Sequence, residues 1–134
     1  MSEKRRFLDS NIILYLLSGN EYKALCSEQL LEQGGVISVQ VLNEVTNVMR
    51  RKLAFEWREI DDFMGTCETL LEVRPLTLAT HHLGRQLARR YHFSLYDSMI
   101  MASAIESGCD RLFTEDLQPG QVISKTLTIL NPYA

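Results

Sequence analysis

A chain of 134 residues with 17 acidic and 14 basic side chains carries a net charge of −3, and 46% of its residues are hydrophobic. This is enough chain for one domain with a full core, and its acidic balance excludes a binder that grips phosphates through bulk positive charge. The longest strongly apolar stretch, Ile12 to Leu17, is far too short to span a bilayer.

Along the chain, apolar segments bounded by breakers alternate between two kinds. Arg5 to Asp9 reads as a short buried strand ending in an acid, and Ser10 to Leu17 as a helix broken by Gly19-Asn20. Glu21 to Gln33 reads as a second helix, with Leu25, Leu30 and Leu31 near one face, stopped by Gly34-Gly35. Val36-Ile37 is a strand, and Ser38 is placed to cap a helix over Val39 to Leu53 with the stripe Val41, Leu42, Val45, Val48 and Met49. Helices are expected over Glu56 to Glu72 and Thr77 to Tyr91, with a strand from Val73 to Leu76 between them. Ser94 and Asp97 have capping-box spacing and open a helix that Gly108 closes. Strands at Arg111 to Thr114 and Leu127 to Leu130 complete the pattern. The alternation predicts a single α/β domain over residues 1–134, its short, mostly parallel sheet covered by helices on both faces.

The N-terminus, Met1-Ser2-Glu3-Lys4-Arg5-Arg6, has no leader-like apolar core behind it, so a cytoplasmic location without membrane contact is expected. Cys26, Cys67 and Cys109 are widely spaced, which suits reduced, mostly buried thiols better than a disulfide scaffold or a zinc knuckle.

Four acids stand out: Asp9, Glu44, Asp97 and Asp116. Ligands of open α/β sheets bind beyond the C-terminal strand ends. Asp9 and Asp116 follow strands there, and Glu44 and Asp97 lie in the opening turns of helices that begin near that edge. Asp97 lies on the helical wheel between Met101 and Ala104, within an apolar face, where an unpartnered carboxylate costs several kcal/mol, roughly. A shared divalent cation would supply the partner. Each acid also has a plainer reading: Asp9 as a helix N-cap, Glu44 as a solvated edge residue, Asp97 as the end of a capping box, and Asp116 as a turn residue before Pro119-Gly120. Their joint placement favours the metal site.

Four segments, in order, resemble the motifs of PIN-domain nucleases. These are Asp9-Ser10-Asn11-Ile12-Ile13-Leu14, Ser38-Val39-Gln40-Val41-Leu42-Asn43-Glu44-Val45, Leu95-Tyr96-Asp97-Ser98-Met99-Ile100, and Leu112-Phe113-Thr114-Glu115-Asp116. In size the chain looks like the VapC-type toxins of bacterial toxin–antitoxin pairs. The resemblance implies a PIN fold, dependence on Mg²⁺ or Mn²⁺, and endoribonuclease activity. It implies that Asp9, Glu44, Asp97 and Asp116 form the metal and catalytic set, supported by Ser10, Asn11 and Thr114. Asp110 and Glu115 are neighbouring acids, and the Thr-x-Asp spacing favours Asp116. A small antitoxin, an RNA substrate and a homodimer are the implied partners.

Arg50-Arg51-Lys52, and Arg85 with Arg89 and Arg90, read as solvated helix faces with dipole-complementing cations, or else as grips on RNA. His81, His82 and His92 read as surface or capping residues, and Trp57 and Phe63 as core. Competing readings are a haloacid-dehalogenase-like Mg²⁺ phosphatase, for which Asn11 stands where a second acid is wanted, a response-regulator receiver, and a non-catalytic RNA-binding module.

Overall fold

The computed structural model describes residues 5–134; Met1 to Lys4, most of the segment searched for a leader, lie outside the described residues. Strand β1 (Arg6–Leu8) carries Phe7 and Leu8, both fully buried. Such short, apolar strands without alternation are what a sheet covered on both faces requires. Beside β1 lie β2 (Val36–Ser38) and β4 (Arg111–Phe113), both parallel to it, with Phe7 opposite Val36 on one side and Leu112 on the other. Adding β3 (Glu72–Arg74), β5 (Val122–Ile123) and β6 (Leu127–Leu130) gives one six-stranded sheet ordered β3-β2-β1-β4-β6-β5. All pairings are parallel except β5 with β6. The α/β architecture is the expected one.

Among the described residues six helices accompany the sheet: α1 (Ser10–Leu14), α2 (Glu21–Glu32), α3 (Val39–Arg51), α4 (Trp57–Leu70), α5 (Leu78–Tyr91) and α6 (Leu95–Glu106). Helix α3 has the foreseen stripe, with Val41, Val45 and Met49 buried. Helix α6 is buried on nearly all sides from Ser98 to Ala104. It lies close against α5 at Gly84, where a Cβ would meet the Met99 sulfur at 2.5 Å. This packing fixes α6 and the acid in its first turn. Arg6 anchors the start of the sheet to the end of α2: its guanidinium donates to the Leu30 carbonyl (3.0 Å), the Gly34 carbonyl and the Gln33 side chain (3.1 Å). A cation is favoured at a helix C-terminus, and Gly34, at φ +81°, makes the turn. No helix among the described residues is long and apolar enough to cross a membrane.

Several expected boundaries moved for identifiable reasons. Strand β3 lies at Glu72–Arg74 and stops before Pro75, whose nitrogen has no hydrogen to donate to a ladder. The helix after Asp9 tightens into a 3-10 turn at Tyr15–Leu17. Strand β5 was not foreseen, because two residues are too few to show a period. Leu25 is 54% exposed, so the apolar side of α2 is narrower than read. Trp57 is 55% exposed and is not core: the buried stripe of α4 begins one turn later, at Ile60, and continues through Met64 and Cys67. Phe63 packs against the core from a half-buried position. Cys67 and Cys109 are buried free thiols and Cys26 is half-buried.

Candidate active site

Asp9 leaves the end of β1 and caps α1, its Oδ1 accepting the Ser10 backbone N–H at 2.7 Å. Capping uses only one of its oxygens. Oδ2 accepts from the fully buried hydroxyl of Thr114, at 2.7 Å, just beyond the end of the neighbouring strand β4. The parallel β1–β4 pairing sets this contact, since Leu8 sits opposite Phe113 and the next residue on each strand is Asp9 or Thr114. Thr114 Oγ1 in turn accepts the backbone N–H of Asp116 at 3.1 Å, and the Asn11 amide donates to the Asp116 carboxylate. Asp9, Asn11, Thr114 and Asp116 are therefore one hydrogen-bonded unit. Ser10 extends it, with Oγ 3.4 Å from Asp9 and 3.3 Å from Glu44. Gln40, one turn before Glu44 on α3, donates to the other Glu44 oxygen at 3.3 Å.

Asp97 enters from a third direction, on the first turn of α6. The Ser94 hydroxyl accepts its backbone N–H at 3.1 Å, but the reciprocal half of the expected capping box does not form. Asp97 is half-buried, because the buried circumference of α6 begins one residue later at Ser98. The desolvation argument made for it from the helical wheel applies instead to Asp9, which is 6% exposed. Ser38 holds the N-cap position of α3 by backbone geometry, without a capping bond from its side chain. Its hydroxyl and that of Ser98 are buried without a hydrogen-bond partner among the described residues.

The acids act on one another electrostatically. Burial pushes the Asp9 carboxyl above its ordinary range; the bonds from Thr114 and Ser10 oppose this, and the charges of Asp116 and Asp97 add to it. Glu44 is raised by burial and by Asp9 and Asp97, against its bonds from Gln40 and Ser10. Asp116 is raised by burial, then by Asp97 and Glu115. None of the four forms an ion pair with an Arg, Lys or His among the described residues. They share one repulsive field, yet no three acids, histidines or cysteines among the described residues are close enough to clasp one ion. The acids line an open rim, without a preformed clasp among the described residues. Its donors, all carboxylate oxygens that repel one another, suit a hard divalent cation such as Mg²⁺ or Mn²⁺.

Glu115, the competitor for the fourth position, is engaged elsewhere. It accepts from Lys23 at 2.7 Å and from the Tyr15 hydroxyl, and Lys23 also reaches Tyr15 at 3.1 Å. Burial would raise its pKa, but the bonds from Lys23 and Tyr15 outweigh that and lower it. Tyr15 and Lys23, not singled out from the sequence, hold the loop that carries Asp116. Gln40 was also missed, although its i,i+4 spacing to Glu44 was a readable signal.

The sequence pattern of the PIN domain matches residues 6–122. The chain belongs to the PIN domain family. Membership displaces the haloacid-dehalogenase-like and receiver readings. No curated protein matches the chain. Among solved structures, a chain of a toxin–antitoxin complex from Klebsiella pneumoniae is similar at TM-score 0.72 and 19% identity, over 96% of this chain and 98% of that one. VapC20 of Mycobacterium tuberculosis, described as a Sarcin-Ricin loop cleaving toxin, is similar at TM-score 0.68 and 17% identity over 83% and 91% of the two chains. A chain of DNA-bound VapBC from Salmonella typhimurium is similar at TM-score 0.66 and 20% identity over 97% and 99%. At these identities the likeness establishes the PIN fold.

Proposed function

We propose that this PIN-domain protein is a metal-dependent endoribonuclease and the toxin of a toxin–antitoxin pair. The observation that carries the reading is that hydrogen bonds join Asp9, Glu44 and Asp116 through Ser10 and Thr114, with the charge of Asp97 acting on all three and no ion-paired cation among the described residues to offset them. Toxin–antitoxin proteins among the similar folds support the toxin role. The whole chain acts as one domain in this reading, in the cytoplasm, as a homodimer held in check by a small antitoxin.

Asp9, Asp97 and Asp116, which do not form a preformed clasp, would be drawn in to hold Mg²⁺ or Mn²⁺, with Glu44 as a further ligand or as the group that orients the attacking water. Such an ion, when bound, lowers the pKa of water and polarises a phosphodiester. Thr114 keeps Asp9 turned toward the rim, and Asn11 does the same for Asp116. Gln40 and Ser10 fix the Glu44 carboxylate for that role.

The test is cleavage of single-stranded RNA by purified protein. Activity should need Mg²⁺ or Mn²⁺, stop in excess EDTA, and fall by roughly 10²–10³-fold in Asp97→Asn, the loss usual for one electrostatic group at a reacting centre. Equal cutting in EDTA and by Asp97→Asn would overturn the proposal. Binding of RNA without cleavage would favour the non-catalytic module.

A further inference from the structure

Helix α3 carries Glu44 at the rim and then runs on as an exposed polar ridge. Asn47 and Arg51 follow Glu44 at helical spacings of three and seven residues, the second about 10 Å along the axis at 1.5 Å per residue. Asn43, Thr46 and Arg50 lie beside them, and these five residues with Trp57 line a groove of about 330 Å³. Trp57 is the chain's only tryptophan, and more than half of it is exposed at the start of α4. The Arg50 guanidinium lies over its ring, 5.4 Å from the centroid, and donates to the Phe55 carbonyl at 3.1 Å. That contact uses one of five guanidinium donors. A chain of net charge −3 thus has two adjacent arginines, two amides and a solvent-facing indole in one groove that leads away from its acids.

We propose that this groove binds the single-stranded RNA beyond the scissile phosphate, with Trp57 stacking on a base and Arg50 and Arg51 holding backbone phosphates. The proposal rests on the reading of the substrate as RNA. Charge complementarity selects a polyanion as the occupant, and an indole beside a cationic ridge is the arrangement that holds unpaired nucleotides, whose flat faces stack on aromatic rings whatever their sequence. Asn43, Asn47 and Thr46 supply neutral donors to sugars and phosphates along the way. The helix ties this groove to Glu44, so a strand seated on it is delivered to the rim in a fixed register.

Because Trp57 is the sole tryptophan, its emission reports the groove directly. The wild-type chain in EDTA, and Asp97→Asn in Mg²⁺, are titrated with a short unstructured RNA strand. The expected result is saturable quenching that matches the binding curve from anisotropy of labelled RNA. Trp57→Ala should weaken that binding by roughly 5- to 150-fold, the equivalent of 1–3 kcal/mol for one stacked base. Trp57→Phe should recover part of it, and both variants should keep the wild-type circular dichroism. Removing Arg50 and Arg51 together should flatten the dependence of log K on log salt by about 0.7 per arginine, whereas Arg85→Ala with Arg89→Ala should leave it unchanged. Binding or cleavage of RNA with unchanged Trp57 emission overturns the proposal and leaves the nuclease reading standing. Quenching of the wild-type chain in Mg²⁺ without cleavage of the RNA overturns the nuclease reading alone. Emission that shifts with protein concentration in the absence of RNA also overturns the proposal, and marks the groove as a contact between copies.

Discussion

Glu115 and Asp116 are adjacent in the chain and belong to opposite electrostatic regions. Glu115 has a lysine at 2.7 Å and a tyrosine hydroxyl, and its pKa is lowered. Asp116 has an amide and a backbone link to Thr114, and its pKa is raised by burial, then by the charges of Asp97 and of Glu115 itself. The first region is complete within the protein. The second holds charges that this chain's described residues do not balance. One carboxylate is neutralised and its neighbour is left among like charges, which is the contrast that the proposed metal site requires.

The largest expected effect separates the two regions by metal. With Mg²⁺ at roughly 100 times its Kd, the unfolding free energy should rise by about 2.7 kcal/mol if the ion binds only the folded state. Asp9→Asn should abolish that gain, and Glu115→Gln should retain it, in denaturant titrations with and without Mg²⁺. If Glu115→Gln abolishes the gain while Asp9→Asn keeps it, the two regions have been assigned the wrong way round.

A smaller effect is expected at Thr114. Thr114→Val leaves buried Asp9 Oδ2 without its donor, which costs about 1–3 kcal/mol of stability. It should also weaken metal affinity by roughly 10- to 100-fold, as loss of an orienting partner does. Thr114→Ser keeps the hydroxyl and should restore both. Calorimetric Mg²⁺ titration of the three proteins would read this, and a Val variant with wild-type affinity would show that Asp9 is oriented by Ser10 alone.

Strands β1 and β4 were legible in the sequence because Asp9 and Thr114 end apolar runs that suit a covered parallel sheet, whereas their pairing, between residues 105 apart, was not. Helix α3 was legible because Val41, Val45 and Met49 repeat at helical spacing. The latch formed by Tyr15, Lys23 and Glu115 was not, since its members lie 92 and 100 residues apart and no local period links them. Trp57 was misread for a related reason: composition assigns an indole to the core, but only the packed helix reveals that its first turn stays uncovered. Asp97 fell between these cases. Its place on the wheel was right, but the wheel says nothing of where along α6 the burial begins.

The smallest effect is a pair of opposing pH slopes. Asp9, Glu44 and Asp116 have raised folded pKa values. Between the ordinary carboxylate range near about 4 and those raised values, the folded chain binds more protons than the unfolded one. Their contribution to stability is therefore complete below the unfolded pKa and is lost as pH rises through the folded pKa. Glu115, lowered in the fold, has the opposite sign: its contribution is present above the unfolded pKa and is lost as pH falls through the folded one. In EDTA, denaturation midpoints should thus fall on the rising side for the rim and on the acid side for the latch. Asp9→Asn should flatten the first slope and Glu115→Gln the second. Mg²⁺ should flatten the first slope only, because a cation among the rim acids removes their reason to hold protons and does nothing for a carboxylate already bonded to Lys23. A slope on the rising side that survives Asp9→Asn in EDTA would mean that the burden of burial lies on Glu44 and Asp116, and that Asp9 is kept ionised by Thr114 and Ser10.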